Sequence, residues 1–188
     1  MSTSTKRPAK KTAKAEEAEA KSIAKPVPKP APKPVMVKSA PSKPARPPRV
    51  AFPKKNQQPT PAAFTACLPL QLGKRFEATR TFLLKQTGVT EDVYFYGPST
   101  GWGLRYQLTG KPLCTLLLHG DQPVSILSLD PAANAGVDWR SLSSVGQQAH
   151  KSAHGSPSLL WLDVPLAGTG AADFKIIVRA KLATLSAG

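Results

Sequence analysis

Between Lys25 and Pro34 every second residue is proline, KPVPKPAPKP. Proline lacks the amide hydrogen that a helix or a sheet ladder uses, and it holds the residue before it in an extended conformation. No helix crosses such a stretch and no central strand contains it. The geometry that remains is polyproline II, rising about 3.1 Å per residue, from which Lys25, Lys29 and Lys33 project along a solvated rod. The flanking sequence extends this constraint. Residues 1–63 hold 13 of the 20 prolines and a single aromatic residue, Phe52. That is too little apolar surface to offset an ordering cost of about 1–2 kcal/mol per residue. The chain therefore reads as a disordered basic arm, 1–63, and a single folded domain, 64–188.

Charge divides at the same place. The arm carries 15 Lys and Arg against 3 Glu, a net of +12, and the rest of the chain a net of +3. Its first part, KRPAKKTAKAEEAEAKS, has a composition that favours transient helix, and presents Lys6, Arg7, Lys10, Lys11 and Lys14. Beyond the proline rod come Lys43, Arg46, Arg49, Lys54 and Lys55. With Lys25, Lys29 and Lys33 these are the candidate polyanion contacts. Each phosphate that such a side chain neutralises releases counterions, and no base needs to be read. DNA or RNA is the partner this implies; a solubilising spacer is the plainer reading of the same composition. In composition alone the arm resembles the Lys/Pro/Ala tails of linker-histone-like bacterial proteins. The PxxP spacing at Pro41 to Pro44 and Pro44 to Pro47 leaves a third reading, a protein partner with an aromatic groove.

Other classes receive no support. No apolar run reaches the ~20 residues that span a bilayer, and the basic N-terminus has no apolar core behind it, so it does not read as a signal peptide. Two cysteines, Cys67 and Cys114, would suffice for one disulfide, but the secretory context for it is missing. A cytoplasmic protein, nucleoid-associated if the arm engages DNA, is the expectation.

The domain shows clear periodicities. Leu72, Phe76, Thr79 and Leu83 recur at helical spacing between Leu70 and Gln86, with Gly88 as a stop. Asp92 to Tyr96 reads as a strand ending at Gly97-Pro98. Trp102, Leu104, Tyr106 and Leu108 alternate with Gly103, Arg105, Gln107 and Thr109, a half-buried strand with its rings inward and Arg105 on the other face. LCTLLL and VSILSL follow the turns TGKP and HGDQP, as in an antiparallel meander. A helix is expected over Val137 to Ala153 with Asp138 as N-cap, then the strand SLLWLDV. In the last helix Phe174, Ile177, Val178, Lys181, Leu182 and Leu185 share a stripe along which the stem of Lys181 can lie. The pattern predicts an α+β fold: a small antiparallel sheet of about four to five strands, with about three helices on one face.

GPSTGWGLRY, the apolar strand pair after it, SLLWLDV and a final helix reaching Lys181 together resemble a widespread bacterial family known as domain of unknown function number 3788. The likeness lies in a tyrosine-glycine turn, a Gly-Trp dipeptide and a strand ending in Arg-Tyr. It spans roughly residues 70–182, and the chain departs from it in VSILSL and in the basic arm. The resemblance implies a small α+β fold and brings no activity with it.

Motifs for catalysis are sparse. His150 and His154 form HxxxH, but Lys151 stands where a zinc protease has its glutamate. Cys114 reads as a small core residue. GTGAAD, Gly168 to Asp173, lacks both nucleotide-binding fingerprints and reads as a loop capped by Asp173. Neither a cofactor nor a metal is implied. The remaining candidate is the turn Gly97, Gly101, Trp102 and Arg105, where glycines allow close approach beside rings, with Lys111 and Gln107 near Arg105 in a modest polar groove. Two functions follow: a non-enzymatic protein whose arm binds nucleic acid, or a small-ligand domain or enzyme centred on Gly97 to Arg105 with the arm as a spacer.

Overall fold

The computed structural model describes residues 50–187. Every candidate polyanion contact from Lys6 to Arg49 lies outside them. The described residues form α1 (Pro61–Ala66), α2 (Leu70–Leu84), β1 (Val89–Phe95), β2 (Trp102–Leu108), β3 (Lys111–His119), β4 (Gln122–Leu129), α3 (Pro131–Ala135), α4 (Ser144–Lys151), β5 (His154–Ser156), β6 (Leu159–Pro165) and α5 (Gly170–Ala187). The six strands make one antiparallel sheet in the order β1-β2-β3-β4-β6-β5. The fold is α+β, with more strands and helices than the periodicities predict.

The additions are short. Strand β5 has three residues, all exposed, so it leaves no alternation to read. Helices α1 and α3 span six and five residues, fewer than two turns of any stripe. The helix expected over Val137 to Ala153 forms only from Ser144, with Ser143 as its N-cap; the Asp138 carboxylate instead accepts from the amide of Arg140 in the preceding turn.

The folded body begins before Phe64. Val50 bridges His119, and Phe52 meets Phe64 edge-on with ring centroids 4.9 Å apart. The Phe52 carbonyl accepts from the amide of Trp102 at 3.1 Å, and the Lys54 carbonyl accepts from the Trp102 indole at 2.9 Å. Phe52, Lys54 and Lys55 thus belong to a strap along the domain and not to the arm. Gly101 admits that strap: its φ is +80°, and a Cβ there would stand 2.5 Å from Val50 Cγ1.

Register assigns the two faces. Phe95↔Trp102, Val93↔Leu104 and Glu91↔Tyr106 are opposed across β1 and β2, and this parity continues through Cys114, Leu116, Leu127, Leu162 and Val164. On that side Leu104, Tyr106, Leu116, Leu127 and Leu162 join Phe64, Phe76, Phe174, Ile177 and Val178 in one hydrophobic core. Burial of this set supplies the main driving force for folding, since apolar area removed from water is worth about 25 cal/mol per Å². The opposite parity carries Asp92, Tyr94, Arg105, Thr115, Leu117, Val124, Ile126 and Trp161. Leu117 and Val124 are buried but stand outside the core. Among the described residues no helix layer covers this second face, and Tyr94, Tyr96 and Trp161 are among its exposed rings.

Candidate functional site on the open face of the sheet

Two irregularities open the middle of the sheet. Strands β2 and β3 slip register between Tyr106 and Gln107, so that Tyr106 opposes Cys114, Gln107 opposes Pro112, and Leu113 is left as the extra residue of a bulge. Proline is tolerated there because a bulge does not need its missing donor. Strands β3 and β4 pair only from Thr115↔Ile126 to His119↔Gln122, so Leu113 and Cys114 have no ladder partner on β4.

Lys181 enters that gap. It follows Ile177 and Val178 on the buried stripe of α5 and is only 5 % exposed. Its ammonium does not run out to water along the stripe, as its stem suggests in the sequence; it turns inward. Nζ donates to the Leu113 carbonyl at 2.8 Å and to Ser128 Oγ at 3.4 Å. The bulge supplies the free carbonyl, and the parted strands supply the room. No carboxylate among the described residues lies within ion-pair distance of it. Burial lowers its pKa to about 8, a fall partly offset by Cys114 and Asp130 nearby.

Above this gap lies a cavity of about 460 Å³, walled by Tyr96, Thr100, Arg105, Thr115, Leu117, Ile126, Ser128 and Trp161, with Tyr106, Leu113, Cys114 and Lys181 also in its lining. Its size is in the range of small-ligand sites. Tyr96 reaches across the face so that its hydroxyl and Thr115 Oγ1 are 2.7 Å apart. Arg105 is paired with Asp92, its Nε donating at 3.1 Å, and its guanidinium lies 4.3 Å from the centre of the Tyr94 ring. The hydrogen bond to Asp92 holds the Arg105 pKa above its ordinary value. The charged residues of the lining, Arg105 and Lys181, are both cations, and no carboxylate lines the cavity.

Two other titratable groups of the lining are held protonated. Burial pushes the Cys114 thiol up to about 12, so it stays protonated near neutrality. Burial and the neighbouring Glu91 raise the Tyr106 phenol far above its ordinary value; its hydroxyl donates to Glu91, which Arg80 grips through Nε at 3.0 Å and a second nitrogen at 2.8 Å.

The turn singled out in the sequence is divided by this geometry. Trp102 lies on the core parity and is engaged by the strap at Phe52 and Lys54. Gly101 meets the strap, and Gly97, at φ +104°, faces open space. Arg105 stands on the other face, and the ring beside it is Tyr94. The expected groove with Gln107 and Lys111 does not gather: Gln107 donates to the Gly110 carbonyl at 3.4 Å, and Lys111 is exposed. His150 and His154 fall on α4 and β5, and His150 stacks on Trp139 with centroids 3.9 Å apart. Cys67 is exposed and Cys114 buried, both as free thiols. Asp173 lies in the first turn of α5, and its carboxylate does not cap that helix; it accepts from the amides of Ser143 and Gly146, each at 3.0 Å, at the start of α4.

The residues that sequence reasoning missed are Lys181, Tyr94, Tyr96 and Trp161. Parity carried a signal for the rings, since Tyr94 shares a face with Arg105, and Trp161 alternates with Leu160 and Leu162. Compared with known proteins, the chain matches no family model, no curated protein and no solved structure. No helix among the described residues is long and apolar enough to cross a membrane.

Proposed function

We propose that the domain is a binding module for a small ligand with an apolar or ring-bearing body and an anionic group, seated in the open-face cavity. One observation carries this reading: a cavity of about 460 Å³ with mainly apolar and aromatic walls has two cations and no carboxylate in its lining. Flat rings suit Tyr96 and Trp161, and a carboxylate or phosphate suits Lys181, whose positive charge lacks an anionic partner there. Binding, rather than turnover, is the function that these residues support.

A second reading, supported by the net charge of +10 on residues 1–49, runs beside it: the arm holds DNA, RNA or another polyanion and keeps the binding module there, in the cytoplasm. The two are separable. For the cavity, the probe pair is 2-naphthoate and the uncharged 2-naphthylmethanol, tested on the full chain by thermal shift. The anion is expected to stabilise wild type more than the alcohol does, and Trp161→Ala and Arg105→Ala are expected to weaken the response; equal responses to the two probes, or none, reject the anionic ligand. For the arm, affinity for a DNA duplex is compared between the full chain and a chain starting at Val50 across several salt concentrations. A steep salt dependence present only in the full chain is expected, and equal affinities reject the arm as the binding element.

A further inference from the structure

The position of Lys181 suits an amine better than an ammonium. A neutral amine has two N–H donors and one lone pair. Two acceptors, Leu113 O and Ser128 Oγ, are in reach of its two donors, which leaves the lone pair uncommitted. An ammonium would carry a third donor, and the described residues provide it with no carboxylate. The titratable groups that act on Lys181 are a neutral thiol, Cys114 on β3, and Asp130 after β4; Tyr96, Arg105 and Tyr106 complete the charged or titratable lining of the cavity. With its pKa at about 8, roughly a tenth of the molecules hold the free amine at pH 7, against less than about one in a thousand for a solvated lysine.

We propose that Lys181 captures an aldehyde or ketone from the cavity as an imine. This rests on the reading of the cavity as a ligand site and adds a covalent step to it. Nζ attacks the carbonyl carbon, a C–N bond forms, and the C=O π pair moves onto oxygen. The oxygen takes up a proton and the nitrogen gives one up, giving a carbinolamine. Its hydroxyl then leaves as water, with a second proton, as C=N forms and nitrogen loses its remaining extra proton. Nothing is oxidised or reduced, and hydrolysis reverses the sequence. Leu117, Ile126 and Trp161 give the carbonyl compound an apolar wall to lie against. Desolvation of a lysine in an apolar pocket is a general route to such a nucleophile. The neutral Cys114 does not compete, and Ser128 Oγ is the hydroxyl nearest to the reacting nitrogen for proton relay.

The test is reductive trapping on the full chain with cinnamaldehyde and cyanoborohydride between pH 7 and 10, with the adducts located by peptide mass mapping. The arm and surface lysines serve as internal controls. At pH 7 the Lys181 adduct is expected to exceed that of an average exposed lysine by at least about tenfold, following the difference in free amine. Its yield should level off above pH 8 while the exposed lysines continue to rise, and Ser128→Ala should slow labelling of Lys181 alone. Labelling of exposed lysines with Lys181 untouched overturns the imine. Thermal shift with 2-naphthoate on the same sample separates the two ideas. Stabilisation without a Lys181 adduct overturns the covalent step and leaves the cavity as a binding site, whereas no response to either probe overturns both. An adduct that 2-naphthoate competes away supports both.

Discussion

A buried lysine with two neutral acceptors and no anion costs the fold stability, because desolvation of the charge is not repaid. The cost has a defined pH window. Lys181 has a folded pKa of about 8, below the ordinary value near 10.4 of an unfolded chain, so between the two the unfolded state binds more protons and stability from this group rises with pH. Below pH 8 the full penalty is present. Lys181→Met is therefore expected to raise unfolding stability at pH 7 by about 1–3 kcal/mol and to remove the rise between pH 8 and 10 in urea titrations. A Met variant less stable than wild type would mean that the ammonium is well paired. Glu91 acts in the opposite sense. Burial alone would raise its pKa, but the hydrogen bonds from Arg80 and Tyr106 outweigh that and leave it lowered; its contribution is present near neutrality and fades as acid protonates it. Asp173 is the third residue-scale device. Its carboxylate lies where a Cβ on Gly146 would stand, 2.9 Å from Asp173 Cγ. Gly146→Ala should cost about 1–3 kcal/mol by displacing that carboxylate from the start of α4, read as a fall in thermal midpoint, with no change showing that the helix end relaxes freely. The sequence reads Asp173 as a cap beside its own helix; its partners at the start of α4, 27 residues earlier at Gly146, were not legible, because contacts of that separation leave no spacing in the sequence.

The strap is the element whose role changes most between sequence and structure. Residues 50–55 lie in proline- and lysine-rich sequence, and composition assigned them to the arm. Three partners overrule composition: Phe64 for the Phe52 ring, the Trp102 amide for the Phe52 carbonyl, and the Trp102 indole for the Lys54 carbonyl. A chain beginning at Val50 should fold with nearly the stability of the full chain. One beginning at Phe64 should lose about 2–4 kcal/mol, through the uncovered Phe64 and two unpaired donors on Trp102. Urea midpoints of the two truncations decide this, and equal midpoints would show that the strap is ornamental to the fold. Strands with clean alternation, such as β2, and helices longer than three turns, such as α2 and α5, were legible because their periods span many residues. Strand β5 and helix α3 were not, since three and five residues hold less than two repeats of a pattern. The parity of β2 correctly sends Arg105 and Trp102 to opposite faces; what it lacks is knowledge of β1 as the neighbour, which brings Tyr94 beside Arg105.

At the scale of the whole molecule, a basic, proline-rich sequence precedes a sheet with one face packed by helices and one face that no helix among the described residues covers. An antiparallel sheet with one covered face ordinarily shows polar side chains to water on the other. Here the second face carries Tyr94, Tyr96, Trp161 and a cavity instead. A buried lysine with no carboxylate partner among the described residues stands at the gap beneath that cavity, an arrangement expected where function outweighs stability. The cavity was not legible beforehand, because it depends on a bulge at Leu113, which Pro112 hints at without placing, and on the early end of β3–β4 pairing, which has no residue signature. The most direct measurement is an NMR titration of the isotope-labelled full chain with 2-naphthoate, following backbone amides and the lysine Nζ signals. Shifts are expected to concentrate on Tyr96, Arg105, Thr115, Ser128, Trp161 and Lys181, with the Lys181 pKa rising as the anion binds. Shifts confined to the arm or to the helix-covered side, or no saturable shifts at all, would contradict the cavity as the ligand site.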